Sequence, residues 1–255
     1  MTEIQIQNLK EKGIITEDFN FNLPEDSKLV VGSKPGESPN GRTFYTDQKT
    51  YLLDYTSLPD KTNLDESRFF FLNLDEWFPR NIVKNVFKQK FKTIIIDAEV
   101  IKHLGRNIQE IITMLCFMIK DGGKLIFLKD KQTKTGNTVT ASKVDSFLEW
   151  YKDNMIPNTT LEEKTPEETM EENPEAKEVY YAIYEGNPES IENSRTHVHK
   201  DDICVIITVN PSSSKGGGRI HPFTINKIKL RVKKNTRNRC VNKKRKGKIS
   251  RNKRS

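Results

Sequence analysis

A chain of 255 residues can hold one sizeable α/β domain with its own core, or two small ones. Its hydrophobic fraction is 34% and its charged fraction 31%, the balance of a folded body diluted by polar segments. The net charge of +8 is uneven: Lys227 to Ser255 holds nine Lys and six Arg without an acid, so the remainder, 28 basic against 35 acidic residues, carries −7. No apolar run approaches the ~20 residues that span a bilayer, and the opening MTEIQIQNLKEKG lacks the apolar core of a signal peptide. Cys116, Cys204 and Cys240 are odd in number and widely spaced, which excludes a disulfide framework or a CxxC metal pair. Cys116 and Cys204 sit in apolar runs, as small core hydrophobes do. The expected location is intracellular.

Taken in chain order, residues 2–12 predict a short amphipathic helix through Ile4, Ile6 and Leu9. Lys28 to Gly32 predicts a short strand that stops at Gly-Ser-Lys-Pro-Gly36, where glycine and proline favour a tight loop. Tyr51–Asp54 and Arg68–Asp75 predict two further strands, each ending on an acid. Ile82 to Phe91 has helical spacing, and Phe91–Asp97 is a fourth strand, apolar on both faces as buried parallel strands are. Asn107 to Lys120 carries a broad apolar stripe and predicts a helix packed on a sheet. Gly122-Gly123 is expected to terminate it in the left-handed C′ conformation, ahead of a fifth strand over Lys124–Leu128. Ser142–Asn154 predicts another helix, with Val144, Phe147, Leu148 and Tyr151 on one side.

Leu161 to Glu178 carries eight Glu, two Lys and two Pro with almost nothing apolar, which predicts a disordered acidic insertion. Val179–Tyr184 and Ile203–Val209 then predict two strands, paired as an antiparallel hairpin because their linker has no helical stripe. The expected organisation is an N-terminal segment over 1–26, a domain over 27–210 containing the insertion at 161–178, a flexible linker over 211–226 and an unstructured basic tail over 227–255.

This order resembles the class I S-adenosylmethionine (SAM)-dependent methyltransferase fold: an α/β, Rossmann-like, mostly parallel sheet closed by an antiparallel hairpin. The resemblance is most specific where Ile94-Ile-Ile-Asp97, Val100-Ile-Lys-His-Leu104, the helix Ile108 to Ile119 and Met118-Ile-Lys-Asp-Gly-Gly-Lys-Leu125 follow one another. It implies that SAM lies against the loop holding Gly32 and Gly36, since only bare backbone allows so close an approach. It implies that Asp54, 22 residues after Gly32, accepts from the ribose hydroxyls, and that Asp75 lies near the adenine. Asp97, at the carboxyl end of the fourth strand, and Lys129, after the fifth, resemble the middle pair of the Lys-Asp-Lys-Glu set of RNA 2′-O-methyltransferases. That implies catalytic roles for both, although neither the first Lys nor the final Glu stands out here. The chain departs from the family pattern in the loop, where Val30-Val31 replaces an acid and Lys34 a small residue. The stretch from Gly36 to Tyr51 also lacks the stripe of a first crossover helix.

Other features weigh less. His103 fits a loop-shaping role; Trp77 and Phe78 fit packing near Asp75. His197 and His199 lack a third metal ligand nearby, so no metal is expected. Fifteen positive charges over 227–255 bind polyanions by counterion release, making nucleic acid the expected partner. The tail is also able to fold back on the acidic 161–178 segment. Lys243-Lys-Arg-Lys246 resembles a nuclear-import cluster, and the Lys-, Asn- and Ile-rich composition suggests an AT-rich genome, as in a protist or a large DNA virus. The expected locations are therefore the nucleus or a virion or viral factory, otherwise the cytoplasm. Two functions fit: a SAM-dependent methyltransferase acting on or near nucleic acid, RNA included, or a catalytically inactive relative serving as a scaffold through its tail.

Overall fold

The computed structural model describes residues 3–32, 49–54, 66–97, 100–101, 104, 108–129, 139–176, 179 and 202–211. Gly36, His103, His197, His199, the proposed linker beyond 211 and the basic tail lie outside the described residues. Along the chain come α1 (Glu3–Glu11), β1 (Lys28–Val31), β2 (Thr50–Asp54), a 3-10 turn (Glu66–Arg68), β3 (Phe69–Phe71) and α2 (Trp77–Val86). They are followed by β4 (Phe91–Ile96), α3 (Ile108–Met118), β5 (Ile119–Lys129), α4 (Val139–Asp153), β6 (Thr159–Lys164), α5 (Pro166–Glu172) and β7 (Ile203–Val209).

The strands form one sheet in the order β3-β2-β1-β4-β5-β7-β6. The pairs β1–β2, β1–β4, β2–β3 and β4–β5 are parallel, whereas β7 runs antiparallel to both β5 and β6. Strand alternation divides the apolar residues between two faces. Leu29, Val31, Leu53, Ile94, Ile96, Leu125 and Phe127 turn to the main core, which α1 to α4 complete through Leu9, Val83, Leu115 and Phe147. Val30, Leu52, Ile95, Ile126, Leu128 and Ile206 turn to the other face, where Met170 of α5, Ala176 and Val179 pack.

Four sequence expectations are corrected. The 161–178 segment is not a disordered insertion: it supplies the end of β6 and all of α5. An edge strand needs only one buried row, so Thr159 and Leu161 suffice while Glu162 and Glu163 keep the edge soluble. Helix α5 begins with a capping box in which Thr165 and Glu168 satisfy each other's backbone N–H, with Pro166 opening the first turn. The partner of β7 is accordingly β6, not 179–184. Of that stretch only Val179 is described, in helical conformation.

Gly122-Gly123 does not cap α3 either. The helix ends at Met118 and passes directly into β5, and the glycines lie in an irregularity where Phe91–Thr93 of β4 matches Ile119–Lys124 of β5. Gly122 has φ +75°; at Gly123 a Cβ would lie 2.4 Å from the Lys92 carbonyl oxygen. Finally, residues 1–26 are not a separate segment. Leu9, Ile14, Ile15 and Phe19 belong to the main core, with Phe19 4.8 Å from Phe70 between ring centroids.

Candidate functional site

Because β1 to β5 run parallel, their carboxyl ends share one edge. The chain moves outward from β1 through β2 to β3, then crosses to β4 on the other side of β1. Such a reversal leaves a crevice at the strand ends, the usual place for a ligand in open α/β sheets. Gly32 follows β1, Asp54 ends β2, Asp97 follows β4 and Lys129 ends β5. Asp75 follows β3 by a turn. The sheet thus brings all five described candidates to one edge.

Backbone hydrogen bonds hold that edge together. Gly32 N–H donates to the Leu53 carbonyl (2.7 Å), Leu72 N–H to the Asp54 carbonyl (2.8 Å) and Asp97 N–H to the Val31 carbonyl (2.9 Å). Asp54 is only 5% exposed, an unusual state for a carboxylate and one that calls for polar compensation. Asp75 is exposed in a turn where its N–H donates to Asn73 Oδ1 at 3.0 Å. Lys129 continues the face of Leu125 and Phe127 and pairs its ammonium with Asp145 of α4. That contact fixes Lys129 towards α4.

Gly32 has φ +86°, a conformation that suits glycine. Its bare side, however, is turned to a residue of the chain itself. A Cβ there would lie 1.6 Å from Val100 Cγ2 and 3.0 Å from Val100 Cβ. Val100 is held in place because its N–H donates to the Asp97 carbonyl (3.0 Å) and its carbonyl accepts from Leu104 N–H (2.8 Å). The close approach read from the sequence as an approach of cofactor is thus also an approach of Val100.

Three further residues were not singled out by the sequence. Arg80, on the first turns of α2, is 5% exposed. Its Nε donates to the Glu76 carbonyl (3.2 Å) and Nη2 to Glu110 Oε2 (3.3 Å), linking α2 to α3, while Nη1 is buried with no hydrogen-bond partner among the described residues. Lys143 of α4 donates to the Leu104 carbonyl at 2.6 Å and so holds the segment that follows Val100. Asp145 is the third. No local pattern marks these partners, since they meet across 30 residues or more (Arg80–Glu110) or across the turn of a fold (Lys129–Asp145).

Cys116 and Cys204 are buried free thiols, and burial pushes them up to about 12 and about 11 respectively. Such thiols are inert packing groups. Among the described residues no group of three or more His, Cys, Asp or Glu is placed to hold a metal ion. No helix among them is long and apolar enough to cross a membrane.

Strand order 3-2-1-4-5-7-6 with β7 alone reversed is the class I methyltransferase fold. No family model matches the chain, and no curated protein sequence matches it. Among solved structures the chain is similar to the YcgJ protein of Bacillus subtilis, at 8% identity and TM-score 0.38, over 83% of this chain and 100% of that one. It is similar to a SAM-dependent methyltransferase of Archaeoglobus fulgidus at 12% identity and TM-score 0.37, over 80% and 92%. It is also similar to a phosphoethanolamine N-methyltransferase of Haemonchus contortus at 12% identity and TM-score 0.34, over 82% of this chain but only about half, 53%, of that one. At such values the fold assignment rests on the strand order.

Proposed function

We propose that this protein binds SAM at the carboxyl edge of its sheet and acts on or near nucleic acid, RNA included. The observation that carries the reading is a buried carboxylate, Asp54, ending the strand beside Gly32 at the point where the strand order reverses. A carboxylate there suits a pair of ribose hydroxyls, and Gly32 offers backbone, so the residues fit the group once Val100 yields. When bound, SAM supplies an electrophilic methyl group. The chain's part is to hold both reactants: Asp54 on the ribose side, Gly32 and Gly36 on the methionyl side, Asp75 on the adenine side. Asp97, after β4, and Lys129, at the end of β5, are the candidates to orient the methyl acceptor. Catalysis of this type comes mainly from proximity and orientation.

The 15 positive charges over Lys227–Ser255 support nucleic acid as the partner. With the cluster Lys243–Lys246 they also support a nuclear or viral-factory location. The competing reading, an inactive scaffold of the same fold, is favoured by Val100 seated on Gly32 and by Lys129 engaged with Asp145.

Calorimetry of the full chain with SAM and with S-adenosylhomocysteine separates the two. Saturable binding is expected; absence of binding at millimolar ligand leaves the scaffold reading. Removal of residues 227–255 is expected to abolish most nucleic-acid affinity and its salt dependence, and unchanged affinity would refute the tail's role.

A further inference from the structure

We propose that Val100 is a plug: its side chain fills the notch left by the missing Cβ of Gly32 and controls how tightly SAM is held there. The inference rests on the SAM-binding reading above and adds the residue that limits it.

The argument is geometric. Glycine differs from every other residue in one direction only, that of the absent Cβ, and a contact that needs glycine must come from that direction. At Gly32 that direction is occupied, since a Cβ would lie 1.6 Å from Val100 Cγ2 and 3.0 Å from its Cβ. A ligand that uses the bare face of Gly32 therefore has to displace an isopropyl group.

Val100 is well placed for that part. It is only partly buried, packed against the edge of the main core and not deep within it. Its backbone is tied to both sides of the crevice: its N–H donates to Asp97, whose own N–H donates to Val31, the residue before Gly32. A β-branched side chain has few χ1 settings, so it leaves the notch in a discrete step and not by gradual bending. Binding is thus taxed by the fraction of molecules in which Val100 has turned away.

The test is calorimetry of S-adenosylhomocysteine with the full chain as wild type, V100A and V100I. Trimming the plug to Ala is expected to tighten binding roughly tenfold, because the rotation no longer has to be driven by the ligand. The bulkier, equally stiff Ile is expected to weaken it. Far-UV circular dichroism and thermal melts of each variant confirm that the fold is kept. Binding by V100A that equals or falls below that of a binding wild type overturns the plug and leaves the SAM reading intact. Binding by V100A alone supports the plug and identifies the wild type as the closed form. Failure of all three folded proteins to bind at millimolar ligand overturns both.

Discussion

At Gly32 two demands coincide on one residue. Its φ of +86° is costly for any L side chain, and the space a side chain would take belongs to Val100. The left-handed conformation costs about 1–2 kcal/mol and overpacking against a held neighbour about 1–3 kcal/mol. Gly32→Ala is therefore expected to lose about 2–5 kcal/mol in urea denaturation, and a loss under ~0.5 kcal/mol, the scale of a surface change, would refute the packing described. The buried thiols make a prediction of opposite subtlety. Folding raises Cys116 to about 12 and Cys204 to about 11, against about 8.5 in an unfolded chain. Between those values the unfolded state has lost a proton that the folded state keeps, so stability falls as pH rises. It is intact below about pH 8.5 and drops by about 1.4 kcal/mol per pH unit for each thiol above it. Urea midpoints of wild type and a Cys116→Ala/Cys204→Ala variant, followed from pH 7.5 to 10, are expected to converge. Parallel curves would show that burial does not govern these thiols.

Among the elements, β6 and α5 show why composition misleads. Eight Glu in 18 residues suggest disorder, yet Thr165-Pro-Glu-Glu168 is a complete helix-start signal, and an edge strand tolerates charge on its outer row. Charge density averages over the whole stretch and carries no information about so local a signal. Hydrogen bonds from Thr165, first from its backbone N–H and then from its hydroxyl, lower the Glu168 pKa, so the carboxylate's half of this cap is present at neutral pH and lost as pH falls through that lowered value. Thr165→Ala is expected to cost ~1 kcal/mol and to raise amide exchange within α5. Exchange unchanged from wild type would show that the cap holds nothing. The glycine pair gives a ranking. A Cβ on Gly122 makes only an ordinary contact with Lys92 Nζ at 3.9 Å and suffers from its φ of +75°, whereas a Cβ on Gly123 meets the Lys92 carbonyl oxygen at 2.4 Å. Gly123→Ala is expected to destabilise more than Gly122→Ala, and the reverse order would contradict the β4–β5 register.

At the scale of the whole molecule, the parallel core was readable because continuous apolar runs such as Phe91–Ile96 have no other home than a buried strand. The strand that pairs with β7 was not readable, because 179–184 is more apolar than Thr159–Lys164 and periodicity carries no information about edges. The same division holds at the site. Acids at strand ends can be read from order and spacing, and Asp54, Asp75 and Asp97 do share an edge. The contacts of Val100 with Gly32, Asp145 with Lys129 and Glu110 with Arg80, by contrast, join residues by tertiary packing alone. Everything functional in the account therefore depends on whether that edge receives a ligand. Hydrogen exchange of the full chain with and without millimolar S-adenosylhomocysteine tests this most directly. New protection is expected in peptides covering Val31–Gly32, Leu53–Asp54, Leu72–Asp75 and Asp97, and its loss is expected in Asp54→Ala. Protection confined to β6 and β7, or none anywhere, would contradict the account.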